Sequence, residues 1–145
     1  MSKALMERNG KRIAKILEHI GYESSSIIIE KDWDLQIYMS AKEEGCITIE
    51  MCAHKELNGD SLFDPLMRIE LSTDEADNIL GAKAVYYLSR SVFADIEIYA
   101  KDDPDCWNPK LYEKYKGELD ERLSNWLDTI DMRGYLTEGR IEKIL

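Results

Sequence analysis

Apolar residues recur along this chain with two different spacings, which divide it into three stretches. Over residues 3–20, Leu5, Ile13, Ile16, Leu17 and Ile20 fall on one helical face, while Arg8, Lys11, Arg12 and Lys15 lie off it. Side chains three and four positions apart stand over one another on a helix, so the pattern predicts an amphipathic helix with a solvated basic face. Gly10 weakens its middle, and Gly21 is placed to end it.

The middle of the chain changes to period two. Trp33, Leu35, Ile37 and Met39 alternate with Asp34, Gln36 and Tyr38, and Ile47, Ile49, Met51 and Ala53 alternate with Cys46, Thr48, Glu50 and Cys52. The same holds for Met67, Ile69 and Leu71 within 66–71, and for Val92, Ala94, Ile96, Ile98 and Ala100 within 92–100. Such alternation predicts an antiparallel sheet with one buried and one wet face. Ile27-Ile28-Ile29 reads as a first strand. Residues 82–89 read as another, with Ala82, Ala84, Tyr86 and Leu88 on one side and Lys83, Val85 and Tyr87 on the other. Between strands, Ser72-Thr73-Asp74-Glu75 has the capping-box form and Gly81 is placed to close a short helix.

Helical spacing then returns. Asn108-Pro109 sets a capping residue before a first-turn proline. Tyr112, Tyr115, Leu119, Leu123, Trp126, Leu127 and Ile130 follow until Arg133-Gly134, with Gly117 a point of kinking or delay. The tail 137–145 is expected to add a turn of helix through Ile141, Ile144 and Leu145. The fold expected is α+β: a five- or six-stranded antiparallel sheet with the N-terminal and C-terminal helices packed on one face, residues 1–145 forming a single domain. Ile47, Ile49, Met67, Ile69, Ile96 and Ile98 should be buried against Ile16, Leu119, Leu123 and Leu127.

Charge sharpens this picture. The chain has 145 residues, is 44% hydrophobic and 33% charged, and carries a net charge of −10. Residues 1–21 hold Lys3, Arg8, Lys11, Arg12 and Lys15 against Glu7 and Glu18, so a basic helix of about +3 joins a body of about −13. An acidic body repels nucleic acid and membrane surfaces and attracts basic protein surfaces. No apolar run approaches the roughly 18–20 residues of a membrane span. A secretory leader's apolar stretch and cleavage site are missing. Cys46, Cys52 and Cys106 are an odd number with no CxxC pair, which points to a reduced, cytoplasmic protein.

Few residues suggest chemistry. Asn58-Gly59-Asp60 is the clearest turn signal and opens the segment Asn58–Met67, read as a structural loop joining two strands. Its Asp60 and Asp64 are too few for a calcium loop. Cys46, Cys52 and His54 can share a strand face, but a structural zinc site needs four ligands, and Cys106 and His19 are distant. Unligated side chains are therefore expected there. No metal or cofactor is expected anywhere: there is no GxG pair or Walker lysine. Asp95-x-Glu97 places two carboxylates on one strand face, with Glu50, Glu70 and Asp34 on neighbouring strands, an arrangement two-metal nucleases use. No Asp/Glu-x-Lys triplet accompanies them.

The N-terminal helix ending in Gly21-Tyr22, the strands after it, and Asn58-Gly59-Asp60 with Asp64-Pro65-Leu66-Met67 together resemble a family of uncharacterised domains of bacterial phages, conjugative elements and other mobile DNA. The resemblance covers roughly residues 10–72. It implies no activity and no catalytic residue. It implies a mobile-element context, where small acidic proteins often block host defence nucleases.

The function expected is non-enzymatic. An acidic protein would bind a basic partner surface, in the sharper form as an anti-CRISPR or anti-restriction inhibitor occupying the nucleic-acid groove of a defence enzyme. The partner-binding residues expected are Glu70, Asp95, Glu97, Tyr99, Asp102, Asp103, Asp105 and Trp107. Tyr38, Tyr87 and Tyr99 are expected on the polar strand faces, since tyrosine suits protein interfaces. No membrane and no direct nucleic-acid contact are expected for the acidic body. Two other readings stand beside it: a structural or regulatory homodimer whose acidity serves solubility, and a metal-dependent hydrolase built on Asp95 and Glu97.

Overall fold

The computed structural model describes the backbone of residues 2–30, 32–91, 94–98 and 109–144, and their side chains except 2, 57, 89–91, 94–98 and 109–117. The helical spacing of the N-terminal stretch produces α1 (Ser2–His19). Gly21 and Tyr22, at φ 67° and 56°, turn the chain out of it, and the Tyr22 N–H donates to the Leu17 carbonyl at 2.8 Å. This is the closure expected of a glycine just past a helix end. The period-two stretches become β1 (Ser25–Ile28), β2 (Asp34–Glu43), β3 (Cys46–Leu57), β4 (Asp60–Thr73), β5 (Ile79–Ser91) and β6 (Ala94–Ile98). They are followed by α2 (Pro109–Met132), α3 (Tyr135–Glu138) and β7 (Arg140–Lys143). Gly117 does not interrupt α2.

Among the described residues the sheet is antiparallel, in the order β6-β5-β4-β3-β2-β1-β7. The α+β architecture is the one expected, with α1 and α2 sharing a core with one sheet face. Ile47, Ile49, Met67, Ile69, Ile16, Leu119, Leu123 and Leu127 are all buried in it. Ile96 and Ile98 pair with Ser89 and Tyr87; their side chains lie outside the described set.

The tail departs from expectation. Residues 140–143 form β7 on β1, with Ile27 opposite Ile141, where a turn of helix was expected. The helical turn of α3 stops at Glu138, and beyond it β1 offers an open row of backbone donors and acceptors that a strand satisfies. The exposed Arg140, Glu142 and Lys143 blunt the new edge against further pairing.

Two connections also differ. Residues 74–78 form a turn, not a helix. The Asp74 carboxylate accepts the Ala76 and Asn78 N–H groups, each at 2.9 Å, and Asp77 sits at φ 63°. The expected cap, Ser72, instead donates to the Gly81 carbonyl at 3.4 Å, and β5 begins at Ile79, so the turn that Asp74 nucleates has no room to propagate. Gly81 is consequently a strand residue. The Asn58-Gly59 signal is a two-residue hairpin turn at φ 54° and 85°, with Leu57 opposite Asp60. Positive φ at both positions suits the twist of the flanking strands. Those strands run to the base of the turn, so Asp60–Leu66 belongs to β4 and is not a loop. Asp64-Pro65 lies at the register shift that places Cys52 opposite Leu66 and His54 opposite Phe63.

A bulge in β5 reverses its faces. Arg68 is opposite Tyr86 and Ile69 opposite Ala84, which leaves Val85 without a partner. An extra residue shifts the alternation by one. Tyr87 is therefore in the core, 8% exposed, and Tyr86 takes the outer position that the alternation had given to Tyr87. Arg122 of α2 covers the Tyr87 ring at 5.1 Å and donates to its hydroxyl at 3.3 Å.

Among the described residues β6 pairs only with Tyr87–Ser91, so the first part of β5 is a sheet edge. Both long helices close on it. Gly10 lies so near Gly81 that a Cβ built on it would fall 2.8 Å from the Gly81 Cα. Asp120 of α2, 4% exposed, accepts the Ala84 N–H at 3.0 Å, while its carbonyl accepts from the buried Asn9 side chain at 3.1 Å. Arg12 pairs with Asp128 at 2.8 Å and Asp131 at 3.0 Å, and Arg8 reaches Ser124 at 3.5 Å. The basic face of α1 is thus partly turned onto acidic α2, where the sequence pattern predicts full solvation.

Burial raises the Asp120 pKa above its ordinary value, against the opposing pull of the Ala84 N–H and the Lys83 charge. The folded state therefore holds this proton more tightly than the unfolded chain. Its contribution is complete below the unfolded value of about 4 and is lost as pH rises through the folded value. The parent should accordingly gain stability relative to an Asp120→Asn variant as pH falls through that window. Urea unfolding of both proteins from about pH 7 to about pH 4 checks this. A stability difference that does not change with pH would refute it.

Candidate protein-binding surface

The sheet face opposite the core carries rows of side chains fixed by cross-strand register. Tyr38 is opposite Glu50, Glu50 opposite Arg68, and Arg68 opposite Tyr86, so four strands build one row. Glu50 and Arg68 pair at 3.5 Å, and the Arg68 guanidinium lies over the Tyr86 ring at 5.5 Å. The Tyr38 hydroxyl donates to Gln36 at 2.7 Å. All four members of the row are half-buried. Beside them a less polar row runs from Gln36 through Cys52 and Leu66 to Leu88. On the other side stands Thr48–Glu70–Lys83.

Neighbouring groups shape the acid–base character of this face. Burial, with a smaller push from the Glu50 charge, raises the Cys52 thiol to about 12. A thiol held protonated at neutral pH is a poor nucleophile and a poor metal ligand. Burial, then Cys52 and Glu50, also raises Tyr38. His54 stacks obliquely on Phe63, ring centroids 5.0 Å apart, with Nδ1 3.9 Å from Asp34. Cys46 pairs with Ser72 at the far end of β3, on the order of 20 Å from Cys52 at strand rise. Cys46, Cys52 and His54 thus sit on one strand without converging. Among the described residues no group of three His, Cys, Asp or Glu side chains gathers to hold an ion.

Of the residues expected to bind a partner, Glu70 lies on this face in a row of mixed charge. Asp95 is opposite Arg90 and Glu97 opposite Leu88 on β6. Register therefore places the Glu97 position beside the end of the Gln36–Leu88 row and the Asp95 position one row farther from the tyrosines. Tyr99, Asp102, Asp103, Asp105 and Trp107 lie outside the described residues. The sequence reading missed Tyr86 and the Glu50–Arg68 pair. Cross-strand partners need the register, and the Val85 bulge leaves no mark in the alternation of 82–89.

Comparison with protein-family models, with curated proteins and with solved structures finds no match for the chain. No described helix is long and apolar enough to cross a membrane.

Proposed function

We propose that this chain is a non-enzymatic binding protein that docks on a basic protein surface through the outer face of its sheet. The observation that supports this most is the Tyr38–Glu50–Arg68–Tyr86 row. Two half-buried tyrosines bracket an ion pair that neutralises itself, on a chain whose net charge is −10. Tyrosine contributes large contact area at small entropic cost and keeps a polar tip for hydrogen bonding. Glu70 beside the row, with the β6 positions Asp95 and Glu97, adds acidity that steers a basic partner toward it.

In its sharper form the partner is a nucleic-acid-handling defence enzyme, and the chain is a phage or mobile-element inhibitor of the anti-CRISPR or anti-restriction type. That form rests on the resemblance of residues 10–72 and on the acidic body. Its test mixes the purified protein with a purified restriction or CRISPR effector of the host and measures association against salt. Binding should be tight at low salt and weaken progressively as screening shortens the reach of exposed charges. Reversing Glu70, Asp95 and Glu97 to lysine, or separately Asp102, Asp103 and Asp105, should slow association while leaving the melting temperature close to the parent's. Binding indifferent to salt and to both triple reversals would sink this form. DNA or RNA hydrolysis with magnesium or manganese, abolished by Asp95→Asn or Glu97→Gln, would sink the non-enzymatic reading itself.

A further inference from the structure

Where α1 passes the β5 edge, at the end of the Thr48–Glu70–Lys83 row, a groove of about 780 Å³ opens. Its apolar lining comes from Met6 of α1 and from Ile79, Leu80 and Ala82 of β5. Leu80 is 54% exposed, unusual for a leucine beside a core. The cause is local: Ser72 is opposite Gly81 and Thr73 opposite Ile79, so Leu80 is the extra residue of a bulge, a device that re-aims a side chain. The wall is fixed by the contact of Gly10 with Gly81, which sets how closely α1 approaches the strand.

The rim differs in charge from the rest of the molecule. The arginines of α1 turn toward α2, Arg12 onto Asp128 and Asp131, but Lys3 and Lys11 line the groove together with Lys83. Glu7 and Glu70 are the acidic lining residues, Glu70 opposite Lys83 in register. Three lysines against two carboxylates give the groove a net charge of +1 on a chain of net charge −10. Its volume falls within the range of roughly 300–1,000 Å³ typical of small-molecule sites.

We infer that this groove binds a free amphipathic anion, an aliphatic chain ending in a carboxylate or similar head group. The chain lies along Leu80, Ile79 and Met6, and the head group meets Lys3 and Lys11. A soluble amphiphile is the occupant, and not the surface of an anionic bilayer. The groove is concave, and a body this acidic is repelled from such a bilayer.

The probe is dodecanoate at submicellar concentration, with dodecyltrimethylammonium as the charge-inverted control and phosphatidylglycerol vesicles as the membrane arm. Calorimetry should show saturable binding of dodecanoate at one per chain and much weaker binding of the cation. Lys3→Glu with Lys11→Glu should weaken it by about tenfold or more, as should Leu80→Asp, with melting temperatures near the parent's. Cys46 lines the groove and reports on it independently. In a Cys106→Ser background, dodecanoate should slow alkylation of Cys46. Equal binding of anion and cation, binding unaffected by these variants, an unprotected Cys46, or binding to vesicles alone would each overturn the inference.

Discussion

Ile69→Ala is expected to destabilise the protein by about 2–5 kcal/mol, the range for truncating a large aliphatic side chain in a packed core. Ile69 is fully buried, at the centre of the sheet between Ile49 and Ala84. Removing three methyl or methylene groups there loses their transfer free energy and leaves a cavity that a sheet covered by two helices collapses poorly. Arg68→Ala, one residue away on the opposite face, should cost within about 1 kcal/mol, because its half-buried pair with Glu50 still reaches solvent. Chemical denaturation of both variants measures the contrast. Equal losses at the two positions would contradict the assignment of the faces.

Gly10→Ala is expected to act against helix propensity. Alanine in a helix interior usually gains about 1 kcal/mol over glycine. Here the added Cβ would lie 2.8 Å from the Gly81 Cα and 3.0 Å from its carbonyl carbon. Those are backbone atoms that cannot rotate aside, so α1 must lift from the β5 edge and loosen the Asn9–Asp120 contact. A net loss of about 1–3 kcal/mol is expected, the range for an overpacked site. Gly81→Ala should be milder, since its nearest neighbour would be the Ser72 hydroxyl at 3.3 Å. A Gly10→Ala protein more stable than its parent would refute the close approach.

The sequence was legible where one rule acted without competition. Period-two alternation located β2 and β3 and the apolar faces of both, and helical spacing located α1 and α2. It failed where an extra residue shifts the period, as at Val85, because each half of β5 alternates correctly and only the partner strand reveals the join. It also failed where local chemistry is ambiguous. Asp74 can cap a helix or close a turn, and the short distance to β5 decides. Gly10 and Gly81 read as a weak point and a stop, although their meaning lies in each other. Of the candidate surface, the tyrosines and carboxylates were visible as types, while the row that joins Tyr38 to Tyr86 exists only through register.

The β1–β7 pairing bears on how the molecule assembles. β2 to β5 are joined by short turns, so each hairpin closes a small loop and can form early. β1 completes its outer side only when Ile27 meets Ile141 from the opposite end of the chain. Until that distant segment arrives, the Ser25–Ile28 backbone stands open beside an apolar meander. The slowest step of refolding should therefore be the docking of residues 140–143. Amide exchange at Ser26 and Ile28, whose N–H groups face β7, should become protected last, with the β3–β4 hairpin already closed.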